Sequence, residues 1–339
     1  MYILAVESSC DDTSVAIVKD GREIISTKTF SQVKRHEIFG GVVPEIASRC
    51  HLEAIGGLTK LTLEDSGLKK VDIEAIAVTY TPGLIGSLLV GINFAKGLAM
   101  ALDIPLIPVH HLRSHIASNY LSYKNLKPPF ICLVVSGGHT SIIDVKSYTK
   151  MKVIGKTLDD AAGETFDKAA RYLGFPYPGG VYLDKIAEKG NPDAFKFTIP
   201  KVKTCRYDFS FSGLKTSVIN KINEFRQKDI TLPIEDISAS LRQTVVNYLI
   251  KNLKEATVKL NYKKVAISGG VSANALLRKV LKKQGKENDW EIFLPDLKLC
   301  SDNAAMVGAQ GYYEFMNGKR AKPNLNAYAS MNIEEPGLL

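Results

Sequence analysis

Two stretches of the chain repeat one pattern. Residues 2–18 (YILAVESSCDDTSVAIV) and 130–145 (FICLVVSGGHTSIIDV) each run from an apolar segment through a small polar turn into a second apolar segment. Each reads as a β-hairpin. Both halves later offer a strand, a Gly-rich turn and a helix, as IEAIAVTYTPGLIGSLLVG (73–91) and KKVAISGGVSANALLRKVL (263–281). Near-continuous apolar strands joined to helices need sheets covered on both faces. The repeat therefore predicts a duplicated α/β fold, two domains with a central cleft, and 339 residues suffice for two cores. Pro128 and Pro129, in LKPPF (126–130), mark the boundary, because neither continues a helix. The expected domains are 1–127 and 128–301, the second with a helical insertion. A C-terminal helix and tail (302–339) is placed to pack back on the first. Helical patterns cover 44–63, 159–173, 180–188, 234–260, 272–284 and 302–316.

Composition narrows the class. Hydrophobic residues at 45% and charged ones at 23% exclude disorder, collagen and coiled coil. The five cysteines are scattered and never form Cys-x-x-Cys, which argues against a disulfide scaffold and for a reducing cytosol. Glu7 interrupts the first apolar run before it reaches signal-peptide length. Leu84 to Val109 contains Asn93, Lys96 and Asp103, and reads as a buried helix and a strand rather than a membrane span. A cytoplasmic chain with no membrane partner is expected. The formal charge is 44 − 35 = +9, and ten Lys or Arg with one acid, Glu255, lie between Lys251 and Lys286. That run is either a solvated helical face or a track for nucleic-acid phosphates.

Three glycine turns, TPGLIGS (81–87), SGGHT (136–140) and SGGVSAN (268–274), stand between strands or at helix starts. Singly they mark tight turns; together they suggest backbone N–H groups arranged for phosphate, with Ser8, Ser9, Asp12, Thr13 and Ser14 adding hydroxyls and an acid. In HHLRSH (110–115), His111 and His115 share one helical face, as two ligands of one metal would. The alternative is an ordinary polar helix start. No HExxH is present, so the pair lacks the general base of a zinc protease. Asp302, at a helix start, is either a third ligand or a cap. In DDAAGETFDKAAR (159–171), Asp160, Glu164, Asp167 and Arg171 share a face, either solvated and paired or, beside YPGG (177–180), turned to a ribose or amine.

These motifs, with ESSCDDTS, FSQVKRHEIFGGVVPEIASR (30–49), PGLIGSLLVG, FSFSGLKT (209–216) and CSDNAAM, resemble one family from residue 2 to about residue 316. It is the tRNA N6-adenosine threonylcarbamoyltransferase (TsaD) family, formerly O-sialoglycoprotein endopeptidase. The resemblance implies the fold shared by actin, sugar kinases and heat-shock ATPases. It also implies transfer of threonylcarbamoyl from threonylcarbamoyl-AMP to N6 of adenosine 37 in tRNAs reading codons that begin with A. One metal ion, Fe(2+) in preference to Zn(2+), would be held by His111, His115 and Asp302. The adenylate or another adenine nucleotide would be held by Val134, Val135, Ser136, Gly137, Gly138, Asp167, Gly180, Asp184 and Asn274. Asp12 or Asp11 would accept the amine proton. Implied partners are tRNA, a TsaB-like paralogue docking on a helical hairpin at about 29–63, a TsaE-like ATPase, and a YrdC/Sua5-type enzyme that supplies the adenylate. On that hairpin Ile46, Leu52, Ile55, Leu58 and Leu61 either form an exposed apolar face or cover the sheet. Rival readings are a small-molecule kinase of the same fold and a non-catalytic, nucleotide-binding assembly subunit.

Overall fold

The computed structural model describes residues 1–334 apart from Lys201 and Lys203. Its contacts define two units. One joins Met1–Pro128 to Val145–Lys152 and to the chain from Pro295 onward; the other joins Pro129–Asp144 to Val153–Leu294. The expected ranges differ at two places: Val145–Lys152 and Pro295–Ser301 belong with the first unit. Tyr148 explains the former, stacking on Tyr313 at 3.8 Å between centroids and meeting Tyr120 edge-on. Asp296 N–H, which donates to Ser122 Oγ at 3.0 Å, anchors the latter.

The first unit is built on a sheet of order β3-β2-β1-β4-β5. Its strands are β1 (Tyr2–Glu7), β2 (Asp12–Lys19), β3 (Glu23–Ser31), β4 (Ala75–Thr81) and β5 (Leu106–His110). β2 runs antiparallel to β1, with Glu7 opposite Ser14; β4 is parallel to β1, and β5 to β4. Alternate residues of β1 enter different cores. Leu4 and Val6 pack with Ile55, Leu88 and Ile92, from α2 (Pro44–Ser66) and α3 (Ile85–Leu102). Ile3 and Ala5 pack with Met306 and Val307 of α10 (Ala304–Met316). Burial on both faces is why the strand shows no polar alternation. α10 approaches closely because Gly311 faces Ala77: a Cβ there would lie 2.6 Å from the Ala77 Cβ.

The second unit has the sheet β10-β9-β6-β7-β8. Its strands are β6 (Phe130–Val135), β7 (Thr140–Val145), β8 (Met151–Lys156), β9 (Lys264–Ser268) and β10 (Glu291–Phe293), with β6 parallel to β9 and β9 to β10. Its core gathers Ile131, Leu133, Phe166, Leu214, Leu249 and Leu277. They come from β6 and from α5 (Ala162–Tyr172), α7 (Ser212–Gln227), α8 (Ile234–Leu260) and α9 (Ala275–Asn288); α6 (Gly179–Ile186) packs on α5 and α8.

Three expectations need correction. α3 enters the core as expected, through Leu88, Ile92 and Ala95, but is buried on one side only, with Ile85 and Met100 exposed, although its length and composition alone would allow a membrane span. The hairpin at 29–63 is mostly one helix: β3 runs to Ser31, a short α1 (Val33–Glu37) follows, and α2 supplies the rest. Of its apolar residues Ile55 is buried, while Leu52 and Leu61 are exposed. α7 was not among the expected helices, although Leu214, Val218 and Ile222 recur at helical spacing and are buried.

Candidate functional site

β5 ends at His110 and α4 (His111–Ser122) starts at the next residue, so His111 and His115 lie one turn apart on one face. Asp302 comes from the other end of the same unit. It does not cap α10; Asn303 does, its side chain accepting from Met306 N–H at 2.9 Å. The Asp302 carboxylate is thereby left facing the histidines, with Oδ1 3.2 Å from His115 Nε2 and 3.5 Å from His111 Nε2. Among the described residues these three are the one group able to supply three metal-ligand atoms to a single point. Both ring nitrogens of His115 are buried without a hydrogen-bond partner. Leaving them so in a finished core is costly. Ligand atoms bound at about 2.0–2.2 Å in a tetrahedron stand about 3.4 Å apart; the two distances from Asp302 are close to that, and all three ligand atoms lie within 4.8 Å of one another. The donor set therefore fits a metal ion.

Behind His111 stands Glu7, which the sequence reading passed over. Fully buried at the end of β1, it accepts from Ser9 N–H at 2.7 Å, from Thr79 Oγ–H at 2.7 Å and from His111 Nδ1–H at 3.1 Å. That arrangement holds the His111 ring with Nε2 towards Asp302. Burial alone would lower the His111 pKa, but the carboxylates of Asp302 and Glu7 outweigh it and push it up to about 9. To serve as a metal ligand, His111 would have to give up its Nε2 proton while keeping the Nδ1–H that it donates to Glu7.

Asp11 and Asp12 end the turn between β1 and β2. Desolvation, reinforced by the Asp302 charge, raises both, and Asp12 reaches about 7. The turn is fixed from behind by buried imidazoles. His51 of α2 accepts from Thr13 Oγ–H at Nδ1 (2.7 Å), and its Nε2–H donates to the Cys10 carbonyl at 2.9 Å. His36 Nε2–H reaches Gln32 Oε1 at 3.1 Å. The serines and threonine of this turn are thus spent on the protein itself: Ser8 Oγ–H bonds the Ser87 carbonyl at 2.9 Å, and Ser14 Oγ accepts from Ala304 N–H at 3.0 Å. TPGLIGS is closed in the same way, since Leu84 N–H donates to Ser9 O at 2.8 Å and a Cβ at Gly83 would lie 2.6 Å from that oxygen. The expected phosphate role of that turn, and of Ser8 and Ser14, does not fit these contacts.

The remaining two glycine turns lie against each other in the second unit. Val134 pairs with Ser268, and a Cβ at Gly269 would collide with the Val135 carbonyl. Val134 and Val135 are buried, which leaves only their backbone for a ligand, whereas Gly137 and Gly138 are exposed with open space beside them. The turn sits on the start of α5, where Gly163 N–H donates to Ser136 O at 3.2 Å. α6 then gathers the other residues. Gly180 N–H donates to Asp167 Oδ1 at 2.8 Å; one turn on, Asp184 accepts from Asn274 Nδ2–H at 2.7 Å and from Ala275 N–H at 3.0 Å. Arg242, also missed, locks Asp184 at 2.9 Å and Glu188 at 2.6 Å; an arginine within the apolar face of α8 was the available signal. A cavity of about 340 Å³ adjoins this cluster, lined by Glu188, Arg242, Gln243, Ala275 and Lys279 among others. Asp159, expected to open α5, instead caps α7 by accepting from Phe211 N–H at 2.7 Å.

The model of tRNA N6-adenosine threonylcarbamoyltransferase (TsaD) matches residues 23–309. The chain belongs to that family. A tRNA N6-adenosine threonylcarbamoyltransferase of Clostridium kluyveri is 48% identical over 336 residues, covering 99% of this chain and 98% of the relative. One of Clostridium botulinum is 47% identical, with 98% of each chain covered. The chain is accordingly a transferase that forms threonylcarbamoyl-adenosine in tRNA, and the kinase and assembly-subunit readings fall away. Among solved structures, HypF of T. kodakarensis superposes with a TM-score of 0.64 at 16% identity, over 94% of this chain and 48% of that one. Component A of the (R)-2-hydroxyglutaryl-CoA dehydratase of Acidaminococcus fermentans gives 0.55 at 18%, over 93% and 98%. These likenesses carry the fold alone, the duplicated actin-like one.

Proposed function

We propose that this family member uses threonylcarbamoyl-AMP as donor and adenosine 37 of tRNA as acceptor, with one metal ion on His111, His115 and Asp302. The buried His115 ring, neither nitrogen of which makes a hydrogen bond and whose Nε2 lies 3.2 Å from Asp302 Oδ1, carries the reading. Two imidazoles and one carboxylate with open positions suit Fe(2+) ahead of Zn(2+). When bound, the cation supplies Lewis-acid stabilisation to a phosphate or carbamoyl oxygen.

In the reaction N6 attacks the carbamoyl carbon. A C–N bond forms, the C–O bond to phosphate breaks, AMP leaves and N6 loses a proton. AMP is a good leaving group, whereas the N6 lone pair is delocalised into the ring, so positioning supplies much of the rate. Asp12, with its pKa lifted to about 7, takes the proton. Asp11 is the second choice for that base. Gly137 and Gly138 offer backbone N–H groups to phosphate, and Val134, Val135 and Ser136 shape that turn. Asp167, Gly180, Asp184 and Asn274 hold the nucleoside, with Arg242 fixing Asp184.

Partners follow the same reading. The groove between α2 and α3, lined by Leu52, Ile55, Leu89, Val90 and Phe94, is the surface for a TsaB-like paralogue. A TsaE-like ATPase and a YrdC/Sua5-type adenylate supplier complete the set, and the cytoplasm is the compartment. The test is tRNA modification and metal content measured on one preparation, with and without His115.

A further inference from the structure

The net charge of this molecule is concentrated in one segment. Between Lys251 and Lys286 ten basic residues face one acid, a balance of 10 − 1 = +9, while the whole chain sums to 44 − 35 = +9. The rest of the chain is therefore neutral overall. Within the segment the charge is ordered by α9. Leu277, Leu281 and Gly285 are buried, and Lys279, Lys282, Lys283 and Lys286 are exposed on the opposite side. Their spacing of i, i+3, i+4 and i+7 makes one stripe.

α2 and α7 interleave basic residues with acids. Arg49 pairs with Glu45 on α2 at 2.7 Å, and Lys221 and Lys228 share Glu224 on and just beyond α7 at 2.6 and 2.8 Å. On the α9 stripe, among the described residues, only Lys283 has an ion pair, with Glu287 at 3.7 Å. Lys279–Lys283 and Lys282–Lys286 are instead like-charge i,i+4 pairs, which repel. The stripe also has a direction. α9 is capped by Asn274, whose side chain is bonded to Asp184, and Lys279 lines the cavity beside that pair. From there the lysines run along the helix, away from the nucleoside residues.

We propose that this stripe is a docking track for the phosphate backbone of the substrate tRNA. The proposal rests on the reading that tRNA is the acceptor. Exposed ammonium groups in a row, with no aromatic among them, suit backbone contact rather than base reading. Affinity on such a track comes from counterion release and is steeply salt-dependent.

The test compares the full chain, assembled with its partner subunits, with a triple variant carrying Lys282→Gln, Lys283→Gln and Lys286→Gln. Binding of unmodified tRNA is read directly by fluorescence anisotropy across a salt series, and transfer is read in parallel. Loss of three phosphate contacts should weaken tRNA binding about tenfold or more and reduce the log–log salt slope by about 2–3. Threonylcarbamoyl-AMP affinity and kcat at saturating tRNA should stay unchanged. Arginine at the same three positions should restore both affinity and slope. A triple variant with wild-type affinity and slope overturns the track. Absence of transfer by the wild-type assembly would instead sink the acceptor reading, while the binding series would still decide on the stripe.

Discussion

Glu7 is a carboxylate at the end of an otherwise apolar strand, with Ser9 N–H on one oxygen and the Thr79 and His111 donors on the other. Glu7→Gln keeps the shape but turns an amide NH2 towards one of these donors. Metal affinity, measured by chelator competition, should fall about 10–100-fold, as for other residues that orient metal-bound histidines. Asp12 makes a prediction of opposite sign for stability. Its pKa is raised from 3.8 to about 7, so the metal-free folded state keeps a proton that the unfolded chain loses. Stability contributed by this group is therefore greatest at low pH and declines as pH rises from about 4 to about 7. Asp12→Asn should raise the stability of the metal-free protein by roughly 1–3 kcal/mol at pH 8, and hardly at all near pH 4. Denaturant melts at the two pH values check this, and a gain at pH 4 as large as at pH 8 would refute it. At this scale the His111–His115 spacing was legible because two candidate ligands one turn apart leave a mark in sequence. Glu7 and Arg242 were not, since their roles depend on donors from distant strands and helices.

α10 carries the third candidate ligand just ahead of its first turn, and its seat on the sheet depends on small residues. Gly311→Ala would place a methyl 2.6 Å from the Ala77 Cβ. Overpacking of this kind costs about 1–3 kcal/mol, and Tm should drop by several degrees. Metal affinity should weaken with it, because α10 fixes the approach of Asp302; unchanged affinity in a destabilised variant would separate the two. α4 is held from the other side, where Arg113 donates to Glu314 of α10 at 2.9 Å and to the Ile333 carbonyl at 2.7 Å. Most helices were legible from apolar periodicity, and α8 was expected over the very residues it occupies, 234–260. α7 escaped because Ser212, Gly213, Thr216 and Ser217 dilute its pattern. β3 escaped because it is an edge strand whose exposed positions carry the polar residues Glu23, Thr27, Thr29 and Ser31.

The duplication was the most legible feature of the whole molecule, since each half had to bury a sheet on both faces and so wrote the same apolar pattern twice. The halves then diverged in chemistry. The first unit brings two histidines and Asp302 together as possible metal ligands; the second gathers Asp167, Asp184 and Asn274 around α6, beside its glycine turns. The return of Val145–Lys152 to the first unit left no periodic trace, because it rests on Tyr148, whose ring packs on Tyr313 and Tyr120, whose hydroxyl accepts from Arg22 and whose carbonyl accepts from the Gln310 side chain. Metal binding and transfer can be tested together on one preparation. Purified chain, partner subunits, threonylcarbamoyl-AMP and unmodified tRNA are combined, the nucleosides are weighed by mass spectrometry, and metal is measured on the same sample. Wild type should carry about one equivalent of metal, as a three-ligand open site requires, and yield threonylcarbamoyl-adenosine. His115→Ala should lose both while keeping its circular-dichroism spectrum. Full transfer by a metal-free His115→Ala protein would contradict the account.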